Sequence, residues 1–289
     1  MLNVVMKSFI ALSLKEDIGP GDVTSESSVP QHVRKTGYIL AKESGVLAGI
    51  EVAKEVFSQV DPQIDFKALK KDGEKVEFSD VVIKVEGPAR SVLTGERLAL
   101  NFMQRMSGIA TRTSEIMDIL VGTPTKVLDT RKTTPGLRAF EKWAVKIGGG
   151  VNHRMGLYDM ILLKDNHVDY AGGMKEALLH VSEYQSMRTQ KLPLVIETRS
   201  FEEIDNAIVS SDETGIEITR ILLDNFSHAE VAEAVERYSN RVTLEASGGI
   251  TPENVRGYGD AGVDYVSMGY MTHSVKSLDL SLKSTPNVS

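Results

Sequence analysis

Six polar clusters stand at intervals along the second part of this 289-residue chain, each close behind a short apolar run. They are Asp129 with Arg131 and Lys132, Lys164, Glu197, Asp224, Glu245 with Ser247, and Ser267 beside Gly269. The residue types point to anion chemistry. Arginine offers a planar fork that grips carboxylate or phosphate oxygens, and lysine a movable point charge. A mixture of the two suits a ligand that carries both groups. Carboxylates among such cations are either salt-bridge partners or groups that meet sugar hydroxyls, a developing positive charge, or a Mg²⁺ ion brought in on a diphosphate. Two glycine-rich stretches add backbone donors. His153 and Arg154 follow Gly148–Gly150, where the main chain is free to approach a ligand closely. Ser247-Gly248-Gly249 precedes Thr251-Pro252-Glu253, which reads as a helix start with proline in the first turn. A glycine-rich turn feeding a helix N-terminus is an anion site by geometry. His273 lies near this second stretch. His167 carries no expectation of a role, and Gly257-Tyr258-Gly259 reads as a turn.

Charge sharpens the picture. The chain holds 33 Lys and Arg against 40 Asp and Glu, a net charge of -7. From Arg131 to Lys164, however, seven basic residues face two acidic ones, Glu141 and Asp159. The clusters Arg131-Lys132, His153-Arg154 and Lys164 are not spread along one helix face. They suit a compact pocket for a multiply charged small ligand, and a nucleic-acid surface needs a broad basic stripe instead. No HExxH, Cys/His cluster or Asp-rich loop supports a permanently bound metal.

Elements that would position these groups follow from the hydrophobic rhythm. The first hundred residues mix types. Leu2–Leu14 and Ile50–Val60 have helical spacing, Gly19–Asp22 is a turn, and Gly37–Ala48 and Val81–Leu93 are strand-like, the latter broken at Gly87-Pro88. This reads as an α+β arrangement. A long helix is expected over Leu98–Leu120, opened by Thr94 and Glu96-Arg97. Short apolar strands then alternate with helices: TKVLDT, YDMILLK, LPLVIET, TRILLDN, RVTLEAS and DYVSMG, separated by helix candidates at Gly173–Gln185, Phe201–Ser210, His228–Ser239 and Pro252–Ala261. That alternation predicts a parallel sheet with right-handed crossovers, and in an α/β barrel the C-terminal strand ends converge on one mouth. The absence of cysteine excludes disulfides and thiolate chemistry. No apolar run approaches the roughly 20 residues that span a bilayer, the N-terminus lacks the marks of a signal peptide, and the expected compartment is the cytoplasm.

Several segments together resemble the quinolinate phosphoribosyltransferases, also called nicotinate-nucleotide pyrophosphorylases (carboxylating). They are AKESGVLAG (Ala41–Gly49), ERLALNFMQRMSGIAT (Glu96–Thr111), LDTRKTTPGLR, GGGVNHRMGLYDMILLKDNH, LLDNFS, EASGGI and VDYVSMGYMTHSVKSLDLSL. Leu98 departs from the usual small or β-branched residue, and KVEFSDVVI lacks a common glycine; neither touches a charged position.

The resemblance implies an N-terminal α/β sandwich over residues 1–110, joined by 275–289, and an open seven-stranded TIM-like α/β barrel over 111–274. It implies a homodimer with a shared active site that joins quinolinate to phosphoribosyl diphosphate (PRPP), with Mg²⁺ accompanying PRPP and no membrane or nucleic-acid partner. Arg131, His153 and Arg154 would hold quinolinate with Arg97 from the partner subunit, while Lys132 and Lys164 would meet diphosphate or carboxylate. Glu197 and Asp224 would face ribose and Mg²⁺, and Ser247, Gly248, Gly249 and Gly269 would take the 5′-phosphate. Lys132, Lys164, Glu197 and Asp224 form the implied catalytic set. The alternatives are a related phosphoribosyltransferase-like protein of molybdate-uptake operons, which usually lacks part of the DTRK, NHR and LLK set, and a non-catalytic barrel that binds phosphate ligands.

Overall fold

A computed structural model of the chain describes residues 2–284. In chain order the elements are α1 (Val4–Ile18), α2 (Val23–Ser28), β1 (Arg34–Ala41), β2 (Gly45–Val46), α3 (Ile50–Val60), β3 (Asp65–Ala68), β4 (Lys75–Val76), β5 (Val81–Pro88) and α4 (Ala89–Ile119). There follow β6 (Lys126–Leu128), α5 (Arg138–Ile147), β7 (Ile161–Leu163), α6 (Asp165–Ala171), α7 (Met174–Ser186), β8 (Leu194–Thr198), α8 (Phe201–Thr214) and β9 (Arg220–Asp224). The series ends with α9 (His228–Tyr238), β10 (Thr243–Ser247), α10 (Val255–Asp260), β11 (Tyr265–Ser267), α11 (Tyr270–His273) and β12 (Leu280–Lys283).

Two compact units emerge. One takes in 1–114, 133–149 and the C-terminal stretch from 271; the other takes in 115–132 and 150–270. The sequence-based division assigned 133–149 to the barrel, whereas by compactness this segment groups with the first unit.

The first unit carries an antiparallel sheet in the order β12-β1-β5-β3. Its C-terminal strand pairs Tyr38 with Lys283 and Ala41 with Leu280; residues 285–289 of the expected C-terminal addition lie outside the described residues. Helix α4 starts at Ala89, earlier than the expected Leu98, because Pro88 ends the strand and its fixed φ suits a helix start. Gly95 does not break this helix. A Cβ there would meet the Phe57 ring at 2.9 Å, so the glycine serves close packing of α4 on α3. Phe9, Phe102 and Phe140 form an aromatic cluster with centroids 4.9–6.4 Å apart. Burial of one such side chain stabilises the unit by about 1.5–3 kcal/mol.

The second unit is the expected α/β barrel. Six parallel strands run in the order β6-β11-β10-β9-β8-β7. The seventh position is a single rung, Val151 beside Leu128, so the sheet is open between Val151 and β7. Each strand is a short β-branched or leucine-rich run, as a sheet buried on both faces requires. Ser200 and Ser227 cap α8 and α9, and Ser227 forms a capping box with Glu230. Helix α10 begins at Val255 and contains Gly257-Tyr258-Gly259, correcting both the expected start at Pro252 and the expected turn.

Candidate active site

Neighbouring strand ends bring the sequence-predicted groups of the barrel together. Strands β8 and β9 pair with Glu197 opposite Leu222, so Glu197 and Asp224 stand on adjacent strands. Strands β9 and β10 pair Asp224 with Ser247, and β10 and β11 pair Ala246 with Val266, just below Ser247 and Ser267. Lys164, directly after β7, forms an ion pair with Glu197 across the β7–β8 pairing. Its backbone N–H donates to His167 Nδ1 at 3.1 Å, which makes His167 a cap of α6. Lys132 is exposed after β6, and its N–H donates to Thr130 Oγ1 at 3.0 Å.

The turn Asn152-His153-Arg154 is tied down from two strands. Asp129, fully buried at the end of β6, accepts the His153 N–H at 2.8 Å and a hydrogen bond from the Asn152 amide. From β10, Glu245 reaches the His153 ring, with Oε2 3.4 Å from Nε2. The same oxygen accepts from Arg220 Nη1 at 2.6 Å, and the Arg220 guanidinium lies 4.4 Å over the Tyr265 ring. Burial pushes the Glu245 carboxyl upward, but His153 and Arg220 outweigh it and hold the group below its usual range. Glu245 and Asp129 are therefore not mouth residues, as their place near strand ends predicted. Both are fully buried: Glu245 lies on the same strand face as Ser247 but two residues earlier, where His153 and Arg220 converge on it.

Arg131 is exposed and Arg154 half-buried. Burial lowers the Arg154 pKa, and the Arg131 charge lowers it further while Asp159 opposes. Two guanidinium groups thus share one electrostatic neighbourhood. Asp159 also accepts the Met155 and Gly156 N–H groups at 2.7 and 2.8 Å, which shapes the loop after Arg154.

Ser247-Gly248-Gly249 forms a tight turn with φ of 97° at Gly248 and 60° at Gly249. A Cβ on Gly248 would sit 2.2 Å from Asn225 Oδ1, whereas a Cβ on Gly249 would meet nothing within 4 Å. Asn225, a non-glycine residue at φ 60°, donates its N–H to Ser247 O at 2.8 Å and its side-chain amide to Asp224 at 2.9 Å. Sequence reading passed over Asn225; the dipeptide Asp-Asn after an apolar strand is the signal that could have found it, since asparagine tolerates the left-handed region. Gly249 faces open space, but the turn feeds a short Thr251–Asn254 loop rather than a helix start. There Thr251 N–H donates to Asn254 Oδ1 and Asn254 Nδ2 to Gly249 O, at 2.8 and 3.0 Å.

The remaining residues lie in the first unit or fall on helix α5. Arg97 is an exposed residue of α4 beside a cavity of about 340 Å³ lined by Asp17, Asp22 and Thr94 among others. His273 ends α11, is exposed, and has Nδ1 2.6 Å from Ser274 Oγ. Three of the seven clustered cations, Arg138, Lys142 and Lys146, fall on α5 at four-residue spacing, so part of the basic knot does follow a helix. Lys142 is fully buried and Lys146 exposed. Next to them Arg105 Nε and Nη2 donate to buried Glu141 at 2.9 and 2.7 Å, and Glu141 Oε2 accepts the Thr134 N–H at 3.2 Å. Sequence reading missed this clamp on the segment that follows Arg131-Lys132.

Chemically, the barrel offers paired guanidiniums for carboxylates, a lysine already balanced by a carboxylate, two carboxylates on adjoining strands, and a glycine turn. Among the described residues no group of three or more His, Cys, Asp or Glu converges on a metal position.

Comparison with known proteins agrees along the whole length. Residues 22–107 match the N-terminal domain and 109–283 the C-terminal domain of quinolinate phosphoribosyl transferase. The chain is 44% identical over 288 residues to the quinolinate phosphoribosyltransferase [decarboxylating] 2b, mitochondrial, of Nicotiana tabacum, covering 96% of this chain and 82% of the relative. It is 39% identical to the probable nicotinate-nucleotide pyrophosphorylase [carboxylating] of Bacillus subtilis, covering 99% of this chain and 95% of the relative. Among solved structures, NadC from Streptococcus pyogenes superposes with a TM-score of 0.90 at 35% identity, covering 98% and 97% of the two chains. The nicotinate-nucleotide pyrophosphorylase from Francisella tularensis gives 0.89 at 35% identity, with the same coverage. With both domains of the family matched in order and relatives 39–44% identical over nearly the whole chain, the chain belongs to the quinolinate phosphoribosyltransferase family.

Proposed function

We propose that this chain transfers the phosphoribosyl group of PRPP to quinolinate with decarboxylation, giving nicotinate mononucleotide, diphosphate and CO₂ in NAD biosynthesis. The observation that carries the reading is the pair Arg131 and Arg154, whose like charges act on one another beside a mouth holding Glu197 and Asp224. Two cations held together are relieved by a ligand with two carboxylates, which quinolinate is. Lys132 and Lys164 would meet the diphosphate or the remaining carboxylate. Ser247, Gly248, Gly249 and Gly269 would take the 5′-phosphate at the last two strands, where barrels of this type often bind phosphate.

Departure of diphosphate leaves positive charge on the anomeric carbon. Glu197 and Asp224 would stabilise that charge, while the lysines stabilise the leaving group. Mg²⁺ bound with PRPP would supply further charge neutralisation on the diphosphate, with Glu197 and Asp224 as its protein ligands. Attack by the ring nitrogen makes the pyridine cationic; loss of CO₂ from the adjacent carbon then leaves electrons beside N⁺, and that carbon takes a proton from water to give nicotinate mononucleotide. The substrate is its own electron sink, so the protein's work is positioning and electrostatics. The test is purified protein with quinolinate, PRPP and Mg²⁺, reading CO₂ and nicotinate mononucleotide. Absence of both products from folded protein would overturn the reading.

The working form in this reading is a cytoplasmic homodimer whose site takes Arg97 from the partner. Arg97 is exposed on α4, in the first unit, whereas Arg131, Lys132, Arg154 and Lys164 belong to the second. Subunit exchange between inactive Arg97→Ala and Lys132→Ala proteins should restore roughly a quarter of wild-type activity, since about half the dimers are mixed and each mixed dimer has one intact site. No recovery despite exchange seen by mass spectrometry would return Arg97 to its own subunit.

A further inference from the structure

Asp224 and the turn Ser247-Gly248-Gly249 stand on paired strands, with Asp224 opposite Ser247. In the functional reading above, one PRPP molecule spans both: its ribose meets Asp224 and its 5′-phosphate meets the turn. A glycine-rich turn binds phosphate through its backbone N–H groups, so its conformation decides the fit. Pairing of β9 with β10 stops at Asp224 and Ser247. Whatever fixes the turn relative to Asp224 beyond that point lies in the connections that follow the strands.

Asn254 closes the turn, and it does so with every polar group it has. Its Oδ1 accepts the Thr251 N–H at 2.8 Å, and its Nδ2 donates to Gly249 O at 3.0 Å. Its own N–H donates to Thr251 O at 3.2 Å. Its carbonyl accepts the Gly257 N–H at 3.1 Å and also faces the His228 ring, with Nε2 3.1 Å away. A carbonyl oxygen only accepts, so Nε2 donates in this bond.

His228 belongs to the neighbouring connection, as the first residue of α9. Its ring meets the Tyr258 ring edge-on at 4.4 Å, and Tyr258 Oη donates to Phe226 O at 3.2 Å. Gly257 makes room for the imidazole, since a Cβ there would lie 2.5 Å from His228 Cε1. The β9–α9 connection is thus latched onto the β10–α10 connection by ring packing and by the His228 and Tyr258 hydrogen bonds. Nearer the strands, Asn225 donates its N–H to Ser247 O and its amide to Asp224. The phosphate turn is therefore tied to the Asp224 connection at both of its ends.

We propose that Asn254 and His228 are positioning residues for PRPP: Asn254 sets the shape of the phosphate turn, and His228 holds Asn254 in place relative to Asp224. The proposal rests on the functional reading above. Neither residue touches substrate in it.

Ribose 5-phosphate, the part of PRPP that lacks the diphosphate, is the probe, with quinolinate and inorganic diphosphate plus Mg²⁺ as controls. In calorimetry, Asn254→Ala should weaken ribose 5-phosphate binding roughly tenfold, because both side-chain hydrogen bonds that shape the turn are lost. Quinolinate and diphosphate binding should stay within about twofold. In steady state the PRPP KM should rise by a similar factor while kcat changes less than about threefold. Equal losses for all three ligands, or unchanged ribose 5-phosphate affinity in the folded variant, overturn the proposal.

His228 is exposed, so its variants test the latch even if Asn254→Ala does not fold. His228→Gln puts an amide donor near the position of Nε2 and should keep ribose 5-phosphate affinity within about twofold. His228→Phe keeps a ring against Tyr258 but has no donor, and should weaken that affinity roughly three- to tenfold. Equal affinities in the two variants, or the reverse order, overturn the proposal. Wild-type protein that binds ribose 5-phosphate but makes no nicotinate mononucleotide would sink the functional reading alone, and the same titrations would still test the latch. Wild-type protein that binds no ribose 5-phosphate would overturn the latch itself.

Discussion

Glu141 and Glu245 are both fully buried carboxylates facing an arginine, and they are built in opposite ways. In Glu141 both oxygens are used: Oε1 takes two bonds from Arg105, and Oε2 takes the Thr134 amide. In Glu245 one oxygen takes Arg220 and His153, and the other has no hydrogen-bond partner among the described residues. A buried ion pair seldom adds net stability over a well-packed apolar substitute, but removing one partner is costly. Glu141 is therefore a closed clamp on the segment after Arg131-Lys132. Glu245 instead reaches His153, in the Asn152–Arg154 turn, and Arg220 through one oxygen.

The largest effect should come from breaking either pair. Glu141→Ala and Glu245→Ala should each cost about 3–5 kcal/mol in urea unfolding. Only Glu141→Ala should also open residues 133–137 to limited proteolysis, and nicking there in both variants would erase the distinction. Next comes the exposed mouth. Arg131→Ala should lose about 1.5–3 kcal/mol of quinolinate binding, roughly 10- to 100-fold, with an unchanged melting temperature. Calorimetry that finds full affinity in folded Arg131→Ala protein would remove it from the site. Glu197→Gln and Asp224→Asn should each lower kcat roughly tenfold or more and leave KM within about twofold, because they act on charge present in the transition state. A raised KM with unchanged kcat would make them plain ligands of PRPP.

The smallest effect is on acid stability. The Glu245 carboxyl is held below the ordinary glutamate value of 4.5, so its contribution is present above that value and is lost as pH falls through the lower folded pKa. The stability gap between wild type and Glu245→Gln should therefore narrow on acidification below about pH 4.5. A gap that stays constant from neutral pH into that range would mean that the buried carboxylate is not the titrating group.

Much of the barrel was legible because each strand is a short apolar run followed by a polar residue, a pattern that survives any detail of packing. Glu197 and Asp224 on adjoining strands, and Lys164 directly after β7, stand where spacing put them. The misreadings have physical causes. Glu245 lies two residues before Ser247 on the same strand face, so alternation cannot tell them apart; only the packing of His153 and Arg220 on the first makes it buried while the second is half-buried. Helix α5 escaped notice because Pro135-Gly136 and Gly148–Gly150 bracket it with turn residues, although Phe140, Ala144 and Val145 are buried along one stripe. Helix α4 was expected only from Leu98 because Val81–Leu93 reads as one strand-like run; the strand ends at Pro88, the helix starts at Ala89, and Gly95 within it packs against the Phe57 ring.

The division of the chain also limits how it can be dissected. The path passes between the units at 114/115, 132/133, 149/150 and 270/271, so no single cut yields one unit whole. A fragment starting at residue 115 would contain every barrel strand. It would also carry Phe140 without Phe9 and Phe102, and Leu280 without Ala41. Such a piece exposes core surface and an unpaired strand edge, the features that drive chains to aggregate. Separate expression of the catalytic barrel would need the 133–149 excursion replaced by a short linker from Lys132 to Gly150, and the test of such a linker is whether Val151 still finds Leu128.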